Sequence, residues 1–248
     1  MVAGKVGRRR GRARPAADHH HRDIQGGGAR AAVFGVSDGL VSNVSLILGL
    51  AGASPPASVI RLAGFAGLLG GAFSMAAGEY ISMRAQRELF EREIEIERRE
   101  LERHPSAELR ELVHLYESRG IPKELANELA REVMSDPVLA LETHTREELG
   151  VDPESLGRPV QAAVASFLTF SLGAVVPLIP FIVAAGHGAV VAAVVAAAVA
   201  ALVVGSLLSV FTGRPWLSSA LRQLAICAGA GAITYGIGSA IGVTGVVH

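Results

Sequence analysis

From Gly188 to Phe211 the chain runs for 24 residues without one charged side chain. A helix of that composition has no polar face to turn to water, so protein or lipid must cover it on every side. Five blocks are apolar enough to cross a bilayer, at 33–53, 60–83, 160–185, 188–211 and 220–245; about 20 mostly apolar residues suffice. The charges are segregated to match. Of 46 charged residues only Asp38, Arg61 and Glu79 fall between Ala31 and Met83, and only Arg214 and Arg222 follow Arg158. Segment 84–158 carries 31 of them, 19 acidic and 12 basic. A soluble fold would have to bury several blocks completely with one charged segment as cover. The pattern instead predicts an all-α membrane protein with five transmembrane helices and a charged helical insert between the second and third.

The ends and loops set an expected orientation. Residues 1–30 hold eight basic and two acidic side chains, including "GRRRGRARP". This long basic run, followed by a full-length apolar block, reads as a cytoplasmic tail rather than a signal peptide. The positive-inside rule then places the N-terminus, segment 84–158 and the "TGRPWLSS" loop inside, and the C-terminus outside. The two short outer loops, "ASPPAS" and the one around His187, lack Lys and Arg, which agrees. Arg61, at an outer helix end, can snorkel to the interface. The single cysteine, Cys227, sits in an apolar block and implies no disulfide framework. The expected divisions are a tail at 1–30, helices one and two at 31–83, the insert at 84–158 and helices three to five at 159–248.

Segment 84–158 is punctuated like a small helical domain. Nothing breaks the helix between Ser82 and Arg103, so the second span is expected to continue out of the membrane until Pro105 stops it. A second helix, "AELRELVHLYESR", puts Leu109, Leu112, Val113 and Tyr116 on one stripe. "GIP" ends it. A third begins at Pro122 with Leu125, Leu129 and Val133 inward, and a fourth, "VLALETHTREEL", ends at Gly150. Small residues four apart, Gly35/Gly39, Gly67/Gly71 and Gly238/Gly242, suit close helix approach, although a chain with 29 glycines also makes such pairs by chance.

Asp38 in "FGVSDGLVSN" and Glu79 in "SMAAGEY" lie within or beside the apolar blocks. A carboxylate at that depth costs about 2.5–3.5 kcal/mol and normally faces a polar path or a partner. Placement among the lipid headgroups is the plainer alternative. Met75 is four residues before Glu79, on the same helix face, and is either packing or a soft ligand. Outside the membrane Glu97 and Glu100 are three apart, as are Glu108 and Glu111. Folding back at Pro105 would bring the four carboxylates face to face, where a multivalent cation would offset their repulsion. Charge pattern alone favours the alternative, a solvated face paired with arginines 92, 98, 99 and 103. His144 precedes Glu148 by four residues, again on one face. His114 sits in a single Glu-x-x-His spacing and reads as structural, and the histidines at 19–21 as part of a polar tail. Pro177 and Pro180 must interrupt the third span, leaving carbonyls that need partners, either at a packing kink or along a polar path.

Three stretches resemble the vacuolar iron transporter family of divalent-metal/proton antiporters. They are "VSDGLVSNVSLILGLAGA", "GGAFSMAAGEYISMRAQRE" and "AAVASFLTFSLGAVVPLIPF". The resemblance extends over about residues 24–248 and points to a bacterial member. It implies a homodimer with five transmembrane helices and a cytoplasmic metal-binding domain extending from the second. It implies metal ligands at Glu97, Glu100, Glu108, Glu111 and Glu148. His144 stands where the family pattern has Met, which bears on metal preference. In the membrane it implies a pathway through Asp38 and Met75, with Glu79 in the same motif. Glu88, Glu91, Glu93 and Glu95 stay assigned to a solvated face.

The expected function is therefore export of Fe²⁺, or Mn²⁺, from the cytosol by metal/proton antiport, with Zn²⁺ a further ion the ligands would accept. The competing reading is a membrane-bound metal sensor or store that moves nothing. The composition suggests a bacterial inner membrane. No nucleophile–base arrangement points to an enzyme, and a short basic tail without aromatic residues does not point to nucleic acid.

Overall fold

The computed structural model describes residues 28–148, 150 and 157–245. Most of the basic tail, and the 151–156 part of the insert, lie outside the described residues. Among the described residues the chain is helical, with no strand. The apolar blocks form α1 (Gly28–Gly52), the first half of α2 (Ala57–Arg103), α6 (Pro159–Val175), α7 (Ile179–Val183), α8 (His187–Thr212) and α9 (Trp216–Gly245). Helices α3 (Pro105–Ser118), α4 (Lys123–Met134) and α5 (Pro137–Glu148) belong to the insert.

Four helical stretches are long and apolar enough to cross a membrane: Phe34–Gly52, one within Ala57–Arg103, His187–Val210 and Trp216–Gly242. The block expected at 160–185 is divided instead into the 17 residues of α6 and the five of α7. Proline causes the division. Pro177 has no N–H for the carbonyl of Gly173, and the Leu178 N–H turns to Val175 O at 3.0 Å rather than to Ala174 O.

α1 is the central element, packed against α6, α9, α2 and α8. Small residues make this possible. A Cβ on Gly39 would collide with the backbone of Phe170 in α6, and one on Gly238 with the backbone of Gly49. Close backbone contact of this kind is how apolar helices gain packing energy where water supplies no drive. Around α1, Ile47 packs with Leu178 and Phe181, Leu40 and Val44 with Ala197 and Ala201, and Phe170 with Leu68 and Ala72.

The helices are inside-out by the standard of a soluble protein. α8 buries Ala189, Ala193, Ala197 and Ala201, and turns Val195, Val199, Val203 and Leu207 outward, each more than half exposed. Leaving a Val or Leu in water forgoes about 1.5–3 kcal/mol each, so a whole helix of such residues is stable only against hydrocarbon.

α2 runs unbroken for 47 residues, about 70 Å at 1.5 Å per residue. Its distal half has a face of one-turn ion pairs, Arg84–Glu88 at 2.6 Å, Arg87–Glu91 at 2.7 Å, and Glu95 with Arg98 and Arg99 at 2.9 and 3.0 Å. Glu88, Glu91 and Glu95 thus lie on a solvated face. Beyond His104 the chain reverses, and α3 and α4 build a separate core from Leu112, Tyr116, Ala126, Ala130 and Val133. In α4 the inward stripe keeps Val133 but not the other two residues expected. Ala126 and Ala130 are buried against Leu112 and Tyr116 of α3, while Leu125 and Leu129 are exposed. Gly157, at the start of the return to α6, rests against the Met83 side chain, where the charged half of α2 begins.

Candidate metal centre and membrane cleft

The reversal at His104 brings the end of α2 against α3, and α5 completes the corner. The His104 N–H caps Glu100 O at 2.8 Å, and Pro105 opens α3, where its missing N–H costs nothing. Glu97 from α2, Glu108 from α3, and His144 and Glu148 from α5 converge. One donor atom from each lies within 4.8 Å of all the others. His144 Nδ1 is at the centre, 3.0 Å from Glu148 Oε1, 3.3 Å from Glu97 Oε1 and 3.7 Å from Glu108 Oε2. The imidazole is 1% exposed and its Nε2 has no hydrogen-bond partner; nor has the buried Glu97 Oε1.

Three carboxylates around one imidazole, all half-buried or better apart from Glu148, are electrostatically unfavourable without a cation. Burial first, then the charge of Glu148, push the Glu97 carboxyl up to about 7, against the opposing pull of His144. Glu108 is raised too, by burial and then by Glu111. A divalent ion touching four such donors at about 2.0–2.6 Å would need them roughly 3–4.5 Å apart, close to the spacing present. Mixed oxygen and imidazole ligands suit Fe²⁺, Mn²⁺ and Zn²⁺.

The other expected ligands stand around this group. Glu100 is held by His104 Nδ1 at 2.8 Å on the exposed side, and Glu111 is exposed on α3. Both add negative potential at Glu108. The structure therefore brings together four of the six, with Glu100 and Glu111 flanking them. His114 is exposed on α3 and belongs to no such group.

Asp38 and Glu79 line a second candidate site. Asp38, Ser42, Asn43, Ser74 and Met75 line a cavity of about 390 Å³ between α1, α2 and Phe170 of α6. Asp38 and Met75 also border an adjoining cavity of about 450 Å³ that reaches Ser37 and Glu79. The two cavities share Asp38 and Met75 in their lining and together form the candidate cleft. Ser42 Oγ donates to Asp38 Oδ1 at 3.1 Å, and Gln223 Nε2 of α9 donates to Ser37 Oγ at 2.8 Å. On α2 the cleft follows Glu79, Met75, Gly71 and Gly67, a one-turn stripe, and both glycines pack closely, on Phe170 and on Leu46. Asn43 is the residue of this cleft that the motif reading passed over. Its signal is an amide at a helix position flanked by valines and leucines, where only a bonded polar group is tolerated. A third cavity, about 430 Å³ between α1, α8 and α9, contains no charged residue.

Fold and sites together define an integral membrane protein of α-helices, with a candidate divalent-cation centre at the end of its longest helix. Comparison with known proteins makes the class specific. The profile of the VIT family matches residues 29–239, and the chain belongs to that family. It is 31% identical over 228 residues to vacuolar iron transporter 1 of Oryza sativa subsp. japonica, covering 90% of each chain. It is 38% identical over 168 residues to the vacuolar iron transporter of Acanthamoeba castellanii, covering 66% of this chain and 60% of that relative. It is also 33% identical over 217 residues to vacuolar iron transporter homolog 3 of Arabidopsis thaliana, covering 86% and 82%. Members of the family are transporters, not enzymes.

Proposed function

We propose that this chain carries Fe²⁺, and Mn²⁺ as an alternative cargo, across a membrane by exchange for protons. The observation that carries the reading is the placement of two ion-suited sites on one helix. Glu97 of the four-donor group and Glu79 of the cleft are eighteen residues apart on α2, five full turns, so they share a face about 27 Å apart. The names of the relatives supply the cargo, iron.

In this mechanism Glu97, Glu108, His144 and Glu148 take a metal ion from the cytosol, with Glu100 and Glu111 drawing it in. The ion then enters the cleft at Glu79 and passes to Asp38 and Met75. Protons entering from the far side displace it, because one carboxylate lone pair cannot hold a proton and a metal together. The architecture that serves this is five crossings, with α6 and α7 jointly forming the third, and a cytoplasmic domain at 84–158. The contact of Gly157 with Met83 supports those limits, since the chain re-enters beside the point of exit. Two copies form the working unit, with the N-terminus in the cytosol and the C-terminus outside, in a bacterial inner membrane.

Purified protein in liposomes, loaded with an Fe²⁺-sensitive dye and given a pH gradient, tests this. Uptake should require the gradient and produce a metal-dependent proton flux, which a sensor or store would not. If Asp38→Ala transports as fast as the unsubstituted protein, the pathway assignment is wrong.

A further inference from the structure

One polar atom in the cleft is held in place but unused. Asn43 is 2% exposed, and its Nδ2 donates to the carbonyl of Ala174 at 2.6 Å. That carbonyl is free because of the proline break, since the Leu178 N–H bonds Val175 instead. The bond fixes which way the amide faces. Nitrogen must point at α6, so oxygen must point away from it. Asn43 Oδ1 accordingly lies toward Gly67 of α2, where it is buried with no donor. A Cβ on Gly67 would stand 3.0 Å from this oxygen, so glycine leaves the space before it open. Asn43 and Gly67 line the same cavity as Asp38, Ser42, Ser74 and Met75.

We propose that Asn43 Oδ1 is a metal ligand in the membrane cleft, a neutral stopping point for the divalent ion beyond Asp38 and Met75. A buried amide oxygen lacking a donor is poorly satisfied, and a cation is the partner that the cleft's chemistry offers it. A neutral ligand also has a mechanistic use. It does not titrate, so an ion passed on from Asp38 meets a weaker site that no proton competes for, and it can leave. The broken segment α6–α7 thereby acquires a task, because its unpaired carbonyl is what orients the ligand.

The inference rests on the transport reading, and two substitutions separate the two. In a Cys227→Ala background, Asn43→Cys replaces a hard oxygen with a soft sulfur. Uptake of Cd²⁺ relative to Mn²⁺ should rise, on the order of tenfold, if residue 43 touches the ion. Gly67→Ala keeps the Asn43–Ala174 bond but fills the space before the oxygen. Its Cβ also meets Leu46 Cδ2 at 2.6 Å, the end of a flexible side chain that can turn aside, so Gly67→Ala should slow Mn²⁺ uptake about tenfold while lowering the unfolding temperature in detergent only slightly. An unaltered Cd²⁺/Mn²⁺ ratio in a folded Asn43→Cys protein overturns the assignment and leaves Asn43 as a helix-to-helix bond. Should that variant not fold, a wild-type rate in Gly67→Ala overturns it equally. Absence of uptake by the unsubstituted protein instead defeats the transport reading, and this inference with it.

Discussion

His144 and Glu97 decide what the cluster does in the absence of metal. The raised Glu97 carboxyl means that the folded protein holds this proton more tightly than the unfolded chain, whose carboxylate titrates near its ordinary value of 4.5. The associated stability is complete below that value and is lost as pH rises through about 7. Above pH 7 the metal-free cluster is charged and strained, and a bound ion offsets the strain. Chelator should therefore lower the unfolding temperature more at pH 8 than at pH 5.5, and metal affinity should weaken below pH 7 as protons compete. Thermal scans of the full chain in detergent, with and without chelator at both pH values, check this; equal shifts would contradict it. His144 should bear on metal preference. Imidazole suits Zn²⁺ better than the harder Mn²⁺, so His144→Ala should cost Zn²⁺ affinity roughly tenfold or more and Mn²⁺ affinity less. Competition titration with the two ions distinguishes this from a general loss of the site, which would weaken both equally.

At the scale of the element, glycine placement separates packing from chance. The three small-residue pairs all lie at helix contacts: Gly35 and Gly39 on α6, Gly67 and Gly71 on Leu46 and Phe170, Gly238 and Gly242 on the end of α1. Gly70 and Gly78 have nothing near them. Gly39→Ala must push α1 off the Phe170 backbone, an overpacking cost of about 1–3 kcal/mol. Gly70→Ala should be neutral or slightly stabilising, since alanine is the better helix former by about 1 kcal/mol. Unfolding temperatures in detergent decide; similar effects from the two would mean that α1 and α6 are not in backbone contact at Gly39. The elements themselves were legible in the sequence because their limits are local. Pro105, the "GIP" turn, Pro177 and Gly150 each end or break a helix by backbone chemistry alone. What depends on two helices meeting was not legible. The Leu125/Leu129 stripe of α4 obeys the helical period, yet Ala126 and Ala130 are the residues buried against α3 instead. For the same reason spacing could not separate Glu97 and Glu108, which reach His144, from Glu100 and Glu111, which do not. Asn43 became visible only with the freed carbonyl of Ala174 opposite it.

On the scale of the whole molecule, the four-donor group and the cleft are spatially separate but share one helix. The four-donor group draws on α2, α3 and α5, and the cleft on α1, α2 and α6; α2 is the element common to both. A long unbroken helix transmits position well, but it does not make the two sites one ligand set, because about 27 Å separates Glu97 from Glu79 along the axis. Kinetics should therefore divide. Loss of capture lowers the supply of ion at the mouth of the cleft without altering the chemistry inside it. Glu97→Gln combined with His144→Ala should raise the apparent KM for Fe²⁺ about tenfold or more while leaving the maximal rate within roughly twofold. Asp38→Asn should do the reverse, abolishing the maximal rate while the cluster still binds metal. The two measurements, initial uptake rates over a range of Fe²⁺ concentrations and equilibrium binding to the same detergent-solubilised variants, test the division directly. If the cluster variant loses maximal rate as fully as Asp38→Asn does, the ion's passage depends on the cluster itself, and the two sites act as one obligatory relay rather than as a reservoir feeding a gate.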